Sequence, residues 1–585
     1  MRRLATIIII GFGLGSTTDA QTALQPFDEN VHHWLDRIDV LYGNPHQVHF
    51  ALKQISRIEI VQSLIKTDSL ESVISPGDRE NIQWLADQNN HWIPDILPTH
   101  LEYTDSSKTF YSYEKSIGGG SLKTSRSKRP FLKHFYKTPA HFFEVEKKDF
   151  FLRVNPLLRF TISNVNDDGK LLFENQRGIS IQGGIDEKIY FHTAILESQA
   201  RYADYVNDFR RKFNAVPGAG LVKRYQSKIF DFDNGVDYLL ANAYLGVNVS
   251  RHVNLELGHG RHFLGNGLRS LFLSDFSTDY FYLKLNTRIW KFQYQNIFGE
   301  LTTPKRIGTS DQLLPKRYFA AHYLSLNILS NLNVGLFETV VFARENQFEL
   351  QYLNPVVLYR TVEGAIGSPD NVLLGLDIKW NLFRRASLYS QIILDEFKIG
   401  EITAGNGWWA NKYGLQIGLK YFNIFGIDQL DGQVEYNAVR PYTFSHNTGV
   451  ANYSQYNQGL AHPLGANFRE ILFQIRYQPT QKWSIIARVM RMQTGEDQDS
   501  LNWGSNILLP NNTHPSDFGN EIGQGVSADI NILGLDVSYQ LRQGFYLDFF
   551  YQMRNKESED QNRDNKTTYI GGGVRWNLGR RWLEF

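Results

Sequence analysis

Tyr413-Gly414-Leu415-Gln416-Ile417-Gly418-Leu419-Lys420-Tyr421 alternates without a break. Tyr413, Leu415, Ile417, Leu419 and Tyr421 are apolar, while Gly414, Gln416, Gly418 and Lys420 are small or polar. Successive side chains of a strand point to opposite faces, so this segment has one greasy face and one wet one. Aromatic rings at both ends, with aliphatics between, suit a strand that crosses a bilayer, because amphipathic rings prefer the headgroup level. A half-buried strand of a water-soluble sheet reads the same way. The decision therefore rests on whether the chain repeats the pattern.

It does. Residues 372–382 set Val372, Leu374, Leu376, Ile378, Trp380 and Leu382 against Gly375, Asp377, Lys379 and Asn381. Residues 430–438, 470–477 and 545–554 repeat the alternation, with Glu435, Arg476 and Asp548 on their polar faces. From residue 149 onward the chain reads as roughly eighteen strands, an even number in the porin-sized range. The links between them carry a second pattern. Short ones fall at 248–253, 287–291, 329–332, 382–387, 479–482 and 542–544. Between these lie long ones at 201–234, 261–278, 300–316, 345–371, 398–410, 440–466 and 495–525. Short periplasmic turns alternating with long outer loops are what a transmembrane barrel requires, and a sandwich or propeller has no reason to produce them. The predicted fold is an all-β, antiparallel outer-membrane β-barrel. In it Tyr413 lies near the outer surface and Tyr421 near the periplasmic turn, and the terminal Phe585 is the kind of aromatic that ends many such barrels.

The amino-terminal part differs. Arg2 and Arg3, the apolar run 4–14 and Thr18-Asp19-Ala20 have the form of a signal peptide over 1–20. No later run approaches the roughly 18 apolar residues of a membrane helix. Export without such a helix leaves a closed barrel as the way to span a membrane. Residues 21–148 read as a periplasmic helical and linker region, with helical spacing over 52–66, a second helix at 79–87 and a basic Gly/Ser-rich connection at 118–129; the barrel occupies 149–585. The absence of cysteine excludes disulfides, thiol catalysis and zinc-thiolate sites, and 61 basic against 60 acidic residues give no pull toward nucleic acid.

No catalytic set converges. Asp395-Glu396 are strand neighbours and point apart, so they do not flank one bond. Glu256, His259 and His262 stand at odd strand offsets, which separates them, and no metal or cofactor is expected. Binding is the better expectation. Asp377, Lys379, Asp395, Gln416, Lys420, Glu435, Arg476 and Asp548 turn to the lumen, where they either pair and fill it or line a pore. The outer loops carry Tyr352, Asn354, Arg360, Glu363, Asn406, Trp408, Trp409 and Arg440, a mixture of rings and polar groups suited to a sugar chain.

Gly258-His259-Gly260-Arg261-His262-Phe263-Leu264-Gly265-Asn266-Gly267, followed by Leu271-Phe272-Leu273-Ser274, resembles the central motif of Wzi-type capsule-assembly outer-membrane proteins. So do Asn354-Pro355 and the Leu388-Tyr389 pair leading to Asp395-Glu396. The resemblance covers most of 149–585. It implies a non-enzymatic barrel whose partners are outer-membrane lipid and surface polysaccharide, or, in related members, motility or secretion components of a gliding system. A diffusion porin is the remaining alternative.

Overall fold

A computed structural model describes residues 23–585 apart from 26–27, 44–47, 69, 71–72, 94–124, 126, 128–129, 166–170, 226–232, 304–313, 345–346, 357, 368–369 and 499. The expected signal peptide and nearly all of the basic Gly/Ser run lie outside the described residues.

Eighteen long antiparallel strands, each hydrogen-bonded to its neighbours in chain order, run from Phe150–Val165 to Asn565–Trp576. The last strand pairs with the first, from Leu158 opposite Trp576 to Val165 opposite Tyr569, so the sheet closes into a barrel. Two short strands, Phe143–Lys147 and Lys223–Arg224, sit at its margins. Closure leaves no sheet edge unpaired in lipid. Burial alternates along Lys412–Tyr421: Gln416, Gly418 and Lys420 are buried, whereas Ile417, Leu419 and Tyr421 are exposed on the outer wall. Tyr389 lies flat across Gly418, where a Cβ would come within 2.1 Å of its ring. The missing side chain lets the Tyr389 hydroxyl reach Glu435 at 2.7 Å.

Three helices occupy the end of the barrel that carries the short turns. α1 (Glu29–Tyr42) starts at Asp28, whose carboxylate accepts from the N–H groups of Asn30 and Val31 at 2.9 and 3.1 Å. α2 is Arg57–Asp68, and α3 (Pro76–Gln88) is capped by the Ser75 hydroxyl and opened by a proline in its first turn. Their apolar faces meet in one cluster with Val31, Trp34, Ile38, Val61, Leu64 and Leu85, which also takes in Phe151 and Tyr190 from the barrel wall. α1 was not legible as a helix; α2 and α3 lie where helical spacing predicts them.

Two further segments enter the lumen. Residues 261–279, which link Val253–Gly260 to Tyr280–Ile289, fold inward, so Leu271, Phe272 and Leu273 join Phe319, Tyr323 and Phe337 in the central core. Residues 577–585 turn back from the last strand and pack along the inner wall. The Phe585 ring meets Tyr205 and Phe209 there at 5.5 and 5.2 Å, and is not a residue of the lipid-facing wall.

Candidate functional site

Many of the lumen-facing polar side chains bond these inserted segments, and others pair across the wall. Lys379 bonds Asp36 and Asp39 of α1 at 3.0 and 2.7 Å, and Lys420 bonds Asp36 at 2.5 Å. Arg37 is gripped by Asp78 at 2.8 Å and Asp431 at 2.6 Å. Arg476 and Arg488 hold Glu29 at 2.5 and 2.8 Å, and the Trp582 indole donates to the same carboxylate at 2.7 Å. Burial alone would raise the Glu29 carboxyl, but the arginines around it pull it down to about 2.

The inward loop consumes the middle of the wall. Asn266 donates to Asp377 at 3.0 Å, the Leu268 and Arg269 N–H groups donate to Glu435 at 2.8 and 3.1 Å, and Gln416 donates to the Arg269 carbonyl at 3.0 Å. Asp395 pairs with Lys412 at 3.0 Å and accepts from the Phe444 N–H, while Glu396 stands partly exposed beside the same lysine. Asp548 pairs with Arg575 at 2.8 Å, beside a cavity of about 140 Å³ left between the inner wall and residues 580–583. Among the described residues no group of three or more His, Cys, Asp or Glu side chains could hold a metal. His262 is buried against Tyr280, and His259 bonds the Ala241 carbonyl.

At the opposite end, three long loops meet. Arg440 donates from Nε to the Asn411 carbonyl at 2.7 Å, and from Nη2 to the Trp408 and Asn520 carbonyls at 3.3 and 3.2 Å. The Trp409 N–H donates to the Asp517 carbonyl at 2.9 Å. Its ring stacks on His514, with centroids 4.1 Å apart and planes 20° from parallel, and Asp517 holds the far side of that imidazole at 2.7 Å. The Asn406 side chain accepts from the Trp408 N–H at 3.1 Å and donates to Glu401 at 2.5 Å. Asn406, Trp408, Trp409 and Arg440 thus form one cluster with both indoles part-exposed. His514, Asp517 and Asn520 complete it from a loop about a hundred residues further on, and no local signal marked them.

The other loop residues go elsewhere. Tyr352 is fully buried, with its hydroxyl on Asp370 at 2.8 Å, and offers no ring face to a sugar. Asn354 caps its own turn through the Val356 N–H, and Arg360 pairs with Glu363 at 2.7 Å on the outer face of the helix Tyr359–Ile366, whose Tyr359 and Val362 are buried.

No protein-family model and no curated protein matches the sequence. Among solved structures, the chain is similar to Wzi of Escherichia coli, an outer membrane protein involved in group 1 capsule assembly and a carbohydrate-binding β-barrel. The likeness covers 96% of this chain and 100% of that one, at 13% identity and a TM-score of 0.56. OprD of Pseudomonas aeruginosa covers 73% of this chain and 94% of its own, at 12% identity and a TM-score of 0.41, too distant to carry weight. The protein is an outer-membrane β-barrel that shares its fold with Wzi over nearly its whole length.

Proposed function

We propose that the protein is a non-enzymatic outer-membrane barrel that binds or organises surface polysaccharide through its outer loops. One observation carries this reading. Among the described residues, most of the lumenal polar groups are bonded to the helices, the inward loop, the tail or one another, whereas the Trp408–Arg440–His514 cluster of the outer loops gathers part-exposed rings and polar groups that can meet a large ligand. Indoles offer flat apolar faces to sugar rings, and the surrounding Asn, Asp and Arg groups supply the hydrogen bonds that orient hydroxyls. The likeness to a carbohydrate-binding barrel supports the same reading.

The test is retention of the purified protein on polysaccharide from its own cells. Trp409→Ala is expected to weaken binding about tenfold, or roughly 1.4 kcal/mol, with the barrel still folded. No retention of the unaltered protein overturns the proposal. Large steady conductance in a planar bilayer would instead mark a porin, and a deletion strain that keeps its capsule but stops gliding would mark the motility alternative.

A further inference from the structure

The outer wall carries a row of polar side chains that is covered rather than exposed, unlike the exposed Arg177–Glu197 pair. Asn296, His322 and Glu338 lie directly opposite one another on three adjacent strands, Phe292–Thr302, Lys316–Leu329 and Leu332–Phe342. Their neighbours Ile297, Tyr323 and Phe337 point into the central core, so these three point outward, and His322 sits near the middle of its strand. All three are nonetheless buried, at 0%, 6% and 5% exposure.

The cover is the link between Leu332–Phe342 and Asn371–Leu382, which folds back over the outside of the barrel as a strap. Tyr352, Tyr359 and Val362 of the strap pack on Phe298, Tyr318, Ala320, Val340 and Phe342, all on the outward face. Arg344 clamps the two ends together through Asp370 at 2.8 Å. The Tyr359 ring lies 4.0 Å from the His322 ring, the Tyr294 hydroxyl donates to the Pro355 carbonyl at 2.5 Å, and the Arg360 N–H donates to Glu338 at 3.0 Å. Leu350, Val356 and Leu358 face away from the barrel, 73%, 82% and 62% exposed, and continue its apolar exterior.

The strap does not satisfy what it covers. Among the described residues, both polar atoms of the Asn296 amide, His322 Nε2, Glu338 Oε2 and the Tyr359 hydroxyl are buried with no hydrogen-bond partner. A seam of this kind needs an explanation, because buried polar groups in folded proteins are nearly always paired. The available atoms mix donors with acceptors and are walled by aromatic rings. Among the described residues no Lys or Arg side chain forms an ion pair with Glu338, so the chemistry suits hydroxyls and repels phosphate.

We infer that the seam between the strap and the outer wall is a lateral binding site for the sugar headgroup of a lipid entering from the bilayer. The strap is its cover, with Leu350, Val356 and Leu358 in contact with lipid.

The chain has no cysteine, so spin labels can be placed at will. Labels at Val356→Cys on the strap and Leu336→Cys on the exposed wall report the gap between them in nanodiscs. The three bilayers are phosphatidylcholine alone, with added galactosyl diacylglycerol, and with added phosphatidylglycerol. The expected result is a shift of the interlabel distance with the galactolipid only, its loss in His322→Leu/Glu338→Leu, and greater access of oxygen than of a water-soluble relaxant to the Val356→Cys label. Heat-modifiable migration verifies that the leucine variant folds, and Glu338→Gln replaces it if it does not. Identical distances in all three bilayers overturn the inference. So does a shift that survives the substitutions, an equal response to phosphatidylglycerol, or a water-exposed strap label.

Discussion

The barrel buries polar groups both in its lumen and under the strap on its outer wall, and the two sets are bonded differently. Inside, the carboxylates of Asp36, Asp78 and Asp431 each meet a cationic partner in Lys379, Lys420 or Arg37. Outside, under the strap and among the described residues, the Asn296 amide has neither polar atom bonded and His322 and Glu338 each keep one unpaired, whereas unpaired lumenal atoms such as Asp39 Oδ1 and Gln416 Oε1 belong to side chains bonded through their other atom. A paired set is a structural fastening, since removing either member strands the other. An unpaired set costs stability as it stands and is better explained by something that arrives later.

The largest effect is expected on the inside. Arg37→Ala leaves Asp78 and Asp431 buried without their cation, a loss of about 3–5 kcal/mol. Limited proteolysis should then release the helical region while the barrel keeps its heat-modifiable migration. Equal protection of α1 in both proteins would show that these pairs do not fasten the plug.

The bare wall comes next. Ile417→Lys places an ammonium against lipid at a cost of about 2–4 kcal/mol near the bilayer midplane, and should depress the yield of folded protein in membranes. On the other face of the same strand, Gln416→Ser loses the bond to Arg269 and its neighbours, about 1 kcal/mol, and should leave yield nearly unchanged. Equal yields for the two would overturn the assignment of faces.

Acid should act on the fastening more gently. Burial drives His49, which lies between Ser325 and Asn327, down to about 3 from its ordinary 6.5. An undocked His49 therefore takes a proton that the docked one refuses, and docking weakens as pH falls from 6.5 toward 3. Glu29 is held at about 2 against 4.5, so its contribution is whole above 4.5 and drains away toward 2. Both shifts have the same sign. Protection factors of the α1 and α2 amides, which correct for the intrinsic slowing of exchange in acid, should fall between pH 7 and pH 4 while those of the strands stay high, and unchanged protection factors would refute this account.

The strand faces were legible because alternation is local. Each residue of Tyr413 through Tyr421 states its own side, and link lengths state which end is which. The same locality explains what was missed. Tyr352 looked like an outer-loop ring available to a sugar, yet it packs on Phe342 and Tyr359 because its loop bends down the wall. His514 carried no mark of the tryptophan it would stack on, since their meeting depends on two loops crossing the barrel mouth.

The sequence by itself determined a closed membrane barrel, its strands and the side to which each residue turns, because hydrophobic period and chain reach act over a few residues. Only the tertiary structure decided what fills and covers that barrel. The bond between Asp36 and Lys420 spans 384 positions of sequence, and the outward row at residues 296, 322 and 338 exists only once three strands lie in register. Such pairings are set by how the strands close and where the loops can reach, and neither is written in any short stretch of the chain.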